Sequence, residues 1–231
     1  MNKKIQKIIE NSVLKSKKQN KEFLLFSRIM VFIQEPLISE LVDFGETLQV
    51  IEMYVPSHIF DEIDIIYVGQ FEQLIDRELE ALYENGAIFI TNLLSNNIDY
   101  IENIIHENAH ALEAARPLEI YGDAKIEAEF LGKRYKLFHL IQQEGHAIIN
   151  FDPLDVEYAE KMDDFLYKEV GYEKLENLIN GIFLNPYAVT SLREYFASGM
   201  EKYLLSGEDR RYLNKISPEL VKKIEELING Y

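Results

Sequence analysis

Hydrophobic and polar positions follow a helical period over most of this chain, and two short β-branched runs predict strands. The predicted helices are 2–18, 22–33, 71–83, 101–113, 124–143, 155–168, 172–182, 192–205 and 219–229. The predicted strands are 63–68 and 87–91, whereas 37–55 has a helix-like first half and a strand-like second half. These elements predict one domain over residues 1–231, of the α+β class and predominantly helical with a small sheet.

The predicted strand at 87–91, AIFIT, comes shortly before the helix at 101–113. A strand in that place could form a sheet edge that takes up an extended peptide as an additional strand. An ordinary interior strand would have the same sequence, so the pattern leaves both interpretations open.

The helix at 101–113 contains His106, Glu107 and His110 in the spacing H-E-x-x-H. Residues four apart lie one turn apart on the same helix face, so both imidazoles can bind one cation while Glu107 stands beside it as a general base. The apolar residues of this helix gather on the opposite side. Because the chain has no cysteine, histidine and carboxylate must supply the ligands, and Zn2+ is the predicted metal.

A catalytic zinc site needs a third protein ligand. The candidates that follow the motif are His139, His146, Glu127, Glu129 and Glu194. Glu194 has small neighbours, Ala197 and Ser198, which would let its helix approach the histidine helix closely. However, Ser191 and Glu194 also have the spacing of a capping box, in which the glutamate only caps its own helix. The residues themselves leave ligand and cap equally open.

HENAHALE, together with Tyr187, six further residues and then Glu-Tyr-Phe-Ala from Glu194 onward, resembles the catalytic domain of the anthrax lethal factor family of zinc metalloendopeptidases. That family includes the secreted Pro-Pro endopeptidases. The resemblance implies a zincin-like fold with a small sheet beside the H-E-x-x-H helix. It also implies that His106, His110 and Glu194 hold Zn2+ and that Glu107 and Tyr187 are catalytic.

The interval between His110 and Glu194 is longer than is usual in that family. Residues 111–186 are therefore predicted to contain an extended helical insertion between the metal ligands. The resemblance reaches back to the strand at 87–91 and forward to about Ile228.

The net charge of the chain restricts the class of partner that it is expected to bind. The formal net charge is −16, which argues against nucleic acid or an anionic membrane as the main partner and favours a basic peptide. Residues 1–21 are the exception, since they carry seven lysines and one acid, and they predict a solvated helix or a lysine-rich arm. No secretory signal or membrane span is evident, which predicts a cytoplasmic protein, with export after removal of a signal as the alternative.

The predicted function is a zinc-dependent endopeptidase that hydrolyses an extended peptide or protein substrate, basic or proline-containing. A catalytically inactive zinc-containing interaction module and an exopeptidase of the same fold are the alternatives. The oligomeric state has no signal in the sequence.

Overall fold

The computed structural model describes residues 22–230, in which the chain packs as two compact units, the first ending at Ala111 and the second beginning at Leu112. The boundary falls inside one continuous helix, Asn97–Ala115. The predicted helix at 2–18 and the lysine-rich arm at 1–21 lie outside the described residues. The single catalytic domain stays a prediction.

The first unit contains a mixed five-stranded sheet with the order β1-β2-β3-β5-β4. Its strands are β1 (Glu22–Leu25), β2 (Ile29–Ile33), β3 (Ile65–Val68), β4 (Ala81–Glu84) and β5 (Ala87–Ile90). Strands β2, β3 and β5 are parallel, and β1 and β4 pair antiparallel at the two edges. The prediction of an α+β protein, mostly helical with a small sheet, is confirmed.

The two faces of this sheet have different environments. Three residues that pair across β2, β3 and β5 are fully buried: Val31, Ile66 and Ile88. On the opposite face, the stacked rings of Phe32, Tyr67 and Phe89 follow one another at centroid distances of 6.0 and 5.4 Å. Both predicted strands are confirmed, as β3 and β5. Their β-branched residues suit a pleated, half-buried surface.

The helix predicted for 22–33 is wrong, because these residues form the β1–β2 hairpin. Phe26 and Ser27 make its turn in the left-handed region, with φ of 52° and 57°. Burial alternates along β2, which is the two-residue period of a strand. A short apolar run fits a buried strand and a buried helix equally well, and here pairing with β3 decides between them.

The helix predicted for 71–83 is also wrong beyond its first turn. A single helical turn, α2 (Glu72–Ile75), is followed by β4, and Asn85 and Gly86 then reverse the chain with φ of 50° and 84°. Such an Asn-Gly turn matches the twist of a tight β-hairpin, which joins β4 to β5. Strand β5 is consequently interior, and β4 is the edge.

The strand-like half of 37–55 is helical instead. Helix α1 (Phe44–Tyr54) begins at Asp43, whose side chain accepts a hydrogen bond from the Glu46 backbone N–H. The short 3-10 turn Ser57–Phe60 follows it. Phe44 and Thr47 are among the residues of α1 that are buried, so tertiary packing overrides the β-branched composition of this segment.

The remaining elements are helical. They are α3 (Asn97–Ala115), α4 (Pro117–Tyr121), α5 (Lys125–Gln143), α6 (Glu160–Asp164), α7 (Tyr172–Ile179), α8 (Leu192–Leu205), α9 (Gly207–Ile216) and α10 (Pro218–Asn229). A π-helical segment, Phe165–Gly171, joins α6 to α7, and a 3-10 turn, Tyr187–Val189, precedes α8. No helix is predicted between 205 and 219, but the Ser206 side chain accepts from the Asp209 N–H and starts α9 there.

Helix α5 lies at the centre of the second unit, where it packs against α4, α7, α8 and α10. Its Glu129 carboxylate accepts hydrogen bonds from the backbone N–H groups of Glu219 at 2.9 Å and Leu220 at 3.2 Å, and so caps α10. The same carboxylate accepts from the Tyr195 hydroxyl at 2.7 Å. The segment 111–186, predicted as an insertion, thus supplies core contacts of this unit.

Among residues 22–230, none of the helices is both long enough and apolar enough to cross a bilayer.

Candidate metal centre

Helix α3 begins at a reciprocal cap between Asn96 and Asp99. Asn96 Oδ1 accepts from the Asp99 backbone N–H at 3.0 Å, and Asn96 Nδ2 donates to the Asp99 carboxylate at 2.8 Å. This cap satisfies donors that the first helical turn cannot satisfy itself. Farther along, the apolar face of α3 is fully buried at Ile104, Ile105, Ala109 and Leu112. Cap and buried face together fix the start and rotation of the helix.

The two histidines of α3 lie on one face, as the spacing predicts. Their ring centroids are 4.9 Å apart and the ring planes meet at 82°. His110 is buried, with 8% of its surface exposed, and His106 is half-buried. Imidazole nitrogens in this position are ligands of the kind that zinc accepts.

Glu194 lies in the first turn of α8. Ser191 Oγ accepts a hydrogen bond from the Glu194 backbone N–H at 3.1 Å, so Ser191 caps the helix. This cap uses the backbone of Glu194 rather than its carboxylate. The sequence posed cap and ligand as competing roles, and the geometry makes them compatible.

The ligand atoms of His106, His110 and Glu194 all lie within 4.8 Å of one another. Within residues 22–230, this is the one group of three histidine or carboxylate side chains close enough to hold a metal ion. Two imidazole nitrogens and one carboxylate oxygen form the donor set of many catalytic zinc sites. The three residues predicted as ligands are therefore brought together, and their chemistry fits the predicted metal.

In the second unit, an ion pair joins the buried carboxylate of Glu113 to the exposed side chain of Arg193. Glu113, in the last turn of α3, accepts a 2.9 Å hydrogen bond from Arg193 Nε and a 2.8 Å bond from the Tyr121 hydroxyl. Burial, together with the Glu113 charge, raises the pKa of Tyr121, so its hydroxyl remains a donor. Burial alone would lower the pKa of Arg193, but the bond to Glu113 outweighs it and raises the pKa. Because Arg193 directly precedes Glu194, this pair holds the first turn of α8.

Glu107, the predicted general base, is also buried, with 8% of its surface exposed. Its Oε2 accepts a hydrogen bond of 2.6 Å from the Tyr83 backbone N–H, in edge strand β4. A backbone donor holds a carboxylate oxygen without the freedom of a side-chain partner. The edge strand therefore fixes the orientation of Glu107.

Tyr187, the other predicted catalytic residue, is the first residue of the 3-10 turn before α8. About half of its surface is exposed, at 51%. Its carbonyl accepts from the Thr190 hydroxyl at 2.8 Å and from the Thr190 N–H at 3.0 Å, and Asn185 Oδ1 accepts from the Ala188 N–H at 2.7 Å. These bonds fix the backbone of the turn seven residues before Glu194.

The other third-ligand candidates lie outside the metal group. His139 lies next to Gln143, with 3.1 Å between their side-chain nitrogens, and the imidazole of His146 is 3.3 Å from Lys174 Nζ. The Glu129 carboxylate caps α10, as described above. Glu127 is in the first turn of α5.

Sequence reasoning missed two residues that hold the site, Tyr83 and Glu113. The Asn85-Gly86 pair was the available signal for Tyr83, since it marks a hairpin whose strand precedes the turn. Glu113 stood at the end of the HENAHALE segment, but its partner Arg193 is 80 residues away, and local patterns cannot reveal such a pair.

Comparisons of the chain with protein-family models, curated proteins and solved structures find no match.

Proposed function

We infer that the protein is a zinc-dependent endopeptidase with a zincin-like arrangement, which hydrolyses a peptide bond in an extended peptide or protein. The observation that carries this inference is the group formed by His106, His110 and Glu194, with Glu107 next to it on α3. A purely structural zinc site would use four protein ligands and would need no adjacent base.

The three side chains His106, His110 and Glu194 would hold the metal. When bound, zinc supplies a Lewis acid that polarises a carbonyl and acidifies water. The role of the other residues is to bind, orient and transfer protons around that centre.

Glu107 acts as the general base and then as the general acid. The Tyr83 N–H holds its Oε2, so we assign proton transfer to Oε1. This oxygen takes a proton from the attacking water as the C–O bond forms, and it returns the proton to the leaving amine nitrogen as the C–N bond breaks. General acid–base catalysis of this kind contributes about 10²- to 10⁴-fold in rate.

Tyr187 is assigned the oxyanion role. Its hydroxyl donates a hydrogen bond to the scissile carbonyl oxygen as negative charge develops there. The turn that carries Tyr187 leads directly into the helix of Glu194, which supports a shared function for the two residues.

Edge strand β4 is the proposed binding strand for the substrate backbone. Thr91 N–H donates to the Glu80 carbonyl, so in the alternating antiparallel pattern Leu82 and Glu84 bond to β5. The backbone groups of Ala81 and Tyr83 then point away from β5. The hydrogen bond from the Tyr83 N–H to Glu107 is consistent with this direction. An extended peptide can pair with the backbone groups of Ala81 and with the Tyr83 carbonyl, since the Tyr83 N–H is already bonded to Glu107.

A pocket beside Tyr187 supports a preference for basic side chains. Its volume is about 210 Å³, and its lining includes Tyr187, Tyr167, Tyr172 and the acidic residues Asp163 and Asp164. Carboxylates and aromatic faces both attract a lysine or arginine side chain. The overall charge of −16 acts in the same direction.

The test is to incubate the protein with a degenerate peptide library and to map cut sites by mass spectrometry, with and without a chelator and after zinc is restored. We expect internal cleavage that the chelator abolishes and zinc restores, with Lys or Arg enriched near the cut. Glu107→Gln should bind zinc as the wild type does and lose about 10²- to 10⁴-fold in rate.

Glu127→Gln is the matched control, since it makes the same change at a glutamate outside the metal group. It should cleave like the wild type. Bound zinc without any chelator-sensitive cleavage would identify an interaction module instead, and release of terminal residues alone would identify an exopeptidase. Substantial activity in Glu107→Gln would overturn the mechanism.

A further inference from the structure

Arg134, on helix α5, is a charged residue with no exposed surface, at 0%. Its guanidinium donates hydrogen bonds to backbone carbonyl oxygens rather than to carboxylates. The guanidinium also lies over the Phe130 ring, 4.6 Å from the ring centroid. Burying a cation costs free energy that burying an apolar side chain would not cost, and the hydrogen bonds of Arg134 offset this cost. These bonds therefore indicate which segments the residue holds in place.

Two of these acceptors belong to the turn that carries Tyr187. Arg134 Nε donates to the Val189 carbonyl at 2.8 Å, and Nη2 donates to the Thr190 carbonyl at 2.6 Å. These carbonyls end the 3-10 turn and directly precede Ser191, the cap of α8. One side chain therefore fixes the backbone between Tyr187 and the helix of Glu194.

The remaining donor of the guanidinium reaches a separate loop. Arg134 Nη1 donates to the carbonyl of Asp155 and, at 3.5 Å, to that of Pro153. The same loop is joined to the start of α8 by the Leu192 N–H, which donates to the Val156 carbonyl at 2.9 Å. Arg134 thus joins the 153–156 loop and the 187–190 turn across the core of the second unit.

A guanidinium suits this geometry for a physical reason. It presents five N–H donors in a rigid planar fork, so it can bond carbonyls from two segments at once, whereas lysine is a single point donor. Burial lowers the pKa of Arg134 to about 10, which leaves the group charged at neutral pH.

We propose that Arg134 is a positioning residue for Tyr187: its guanidinium fixes the Tyr187–Thr190 turn so that the Tyr187 hydroxyl is held for the oxyanion of the reaction. This role rests on the proposed peptidase function, because it gives the turn a catalytic purpose. It also gives α5, within the segment 111–186, a functional role beyond core packing.

The test is a double-mutant cycle of Arg134→Lys with Tyr187→Phe, measured on a peptide that the library has shown to be cleaved. Removing an oxyanion donor lowers kcat by about 10²- to 10³-fold. We expect Arg134→Lys to lower kcat by at least about tenfold while zinc affinity stays within about threefold of the wild type, and the double variant to be no slower than Tyr187→Phe. Independent, multiplying effects of the two substitutions would overturn the proposal.

Lys133→Met is the matched control. Lys133 is the adjacent buried cation of α5, and its Nζ donates to the Ile182 carbonyl and to Ser217 Oγ rather than to the Tyr187 turn. If the inference is right, this variant keeps kcat within about threefold. An equal loss of kcat in Lys133→Met would assign the effect to the helix core and would overturn the positioning role.

A measurement that does not depend on catalysis separates the positioning role of Arg134 from the proposed peptidase function. In protein labelled with 3-fluorotyrosine, the 19F resonance of Tyr187 is assigned from Tyr187→Phe. It should shift or broaden in Arg134→Lys and stay unchanged in Lys133→Met. An unchanged resonance would overturn the positioning role even in an inactive protein, whereas absence of chelator-sensitive cleavage by the wild type would overturn the proposed function alone.

If Arg134→Lys does not fold, native-state hydrogen exchange on the wild type provides the second measurement. The Thr190 amide donates to the Tyr187 carbonyl, and the Leu192 amide donates to the Val156 carbonyl. Because Arg134 joins these segments, both amides should open with the same free energy when exchange is measured over a series of urea concentrations below the unfolding transition. Opening of the two amides at clearly different free energies would overturn the positioning role of Arg134.

Discussion

Arg193 donates a 2.9 Å hydrogen bond from Nε to the Glu113 carboxylate, and it is the residue directly before Glu194. Glu113 itself stands three residues after His110 on α3. Only 9% of the Glu113 side chain is exposed, compared with 54% of the Arg193 side chain. The pair therefore ties the helix of the two histidines to the first turn of α8 through a carboxylate that is largely shielded from water.

Arg193→Gln should weaken zinc binding without unfolding the protein. Residues that orient metal ligands typically contribute about 10- to 100-fold to metal affinity, and a loss in that range is expected here. Competition with a chromophoric chelator measures the zinc dissociation constant directly.

Arg28→Gln is the control for this prediction. Arg28 forms a 2.8 Å ion pair with Asp61 in the first unit, where both side chains are substantially exposed. Its zinc affinity should match that of the wild type. An unchanged affinity in Arg193→Gln would show that Glu194 keeps its place without the ion pair.

Metal binding should raise the free energy of unfolding. A ligand that binds only the folded state stabilises it by about 2.7 kcal/mol at a free concentration 100 times its dissociation constant. We expect zinc to raise the urea midpoint accordingly and His106→Ala to abolish the increment. His139→Ala, a histidine outside the metal group, should keep it. A zinc increment that persists in His106→Ala would place the metal elsewhere.

The sequence was sufficient where the relevant signal is local. The spacing of His106 and His110 and the apolar face of α3 both depend on one helical period, and both agree with the structure. The role of Glu194 was less determined, because the spacing of Ser191 and Glu194 fits a helix cap as well as a metal ligand. Only the resemblance favoured the ligand, and the structure shows that the two roles use different atoms of Glu194.

Long-range pairing explains what the sequence could not predict. The run at 22–33 becomes a hairpin because β2 pairs with β3, more than 30 residues later. The contacts of Arg134 with Val189 and Thr190 span 55 and 56 residues. Its buried position could not be read from a helical pattern, in which an arginine is expected to face solvent.

Two glycine substitutions should have opposite effects on stability. Gly86→Ala should destabilise the β4–β5 hairpin, because φ is 84° and an added Cβ would lie 2.7 Å from Asp64 Oδ2. Strain of this kind costs about 1–3 kcal/mol. Gly132→Ala, in the exposed middle of α5, meets no atom within 4 Å and should stabilise by about 1 kcal/mol through helix propensity. Urea denaturation measures both, and a stable Gly86→Ala would contradict the assigned turn.

The last prediction concerns Lys133, whose pKa burial lowers from its ordinary 10.5 to about 8. Between these two pH values the unfolded chain binds more protons at this position than the folded protein does, so this residue makes stability rise as pH increases through that window.

Relative to Lys133→Met, the wild type should therefore gain about 2 kcal/mol between pH 7 and pH 9.5, since one pKa unit corresponds to about 1.4 kcal/mol. Urea midpoints of the two proteins at both pH values test this, because other titrating groups cancel in the difference. Lys125→Met, which removes an exposed lysine at the start of the same helix, should show no such change relative to the wild type. A constant difference between wild type and Lys133→Met across this range would mean that the buried ammonium keeps its ordinary pKa in the folded protein.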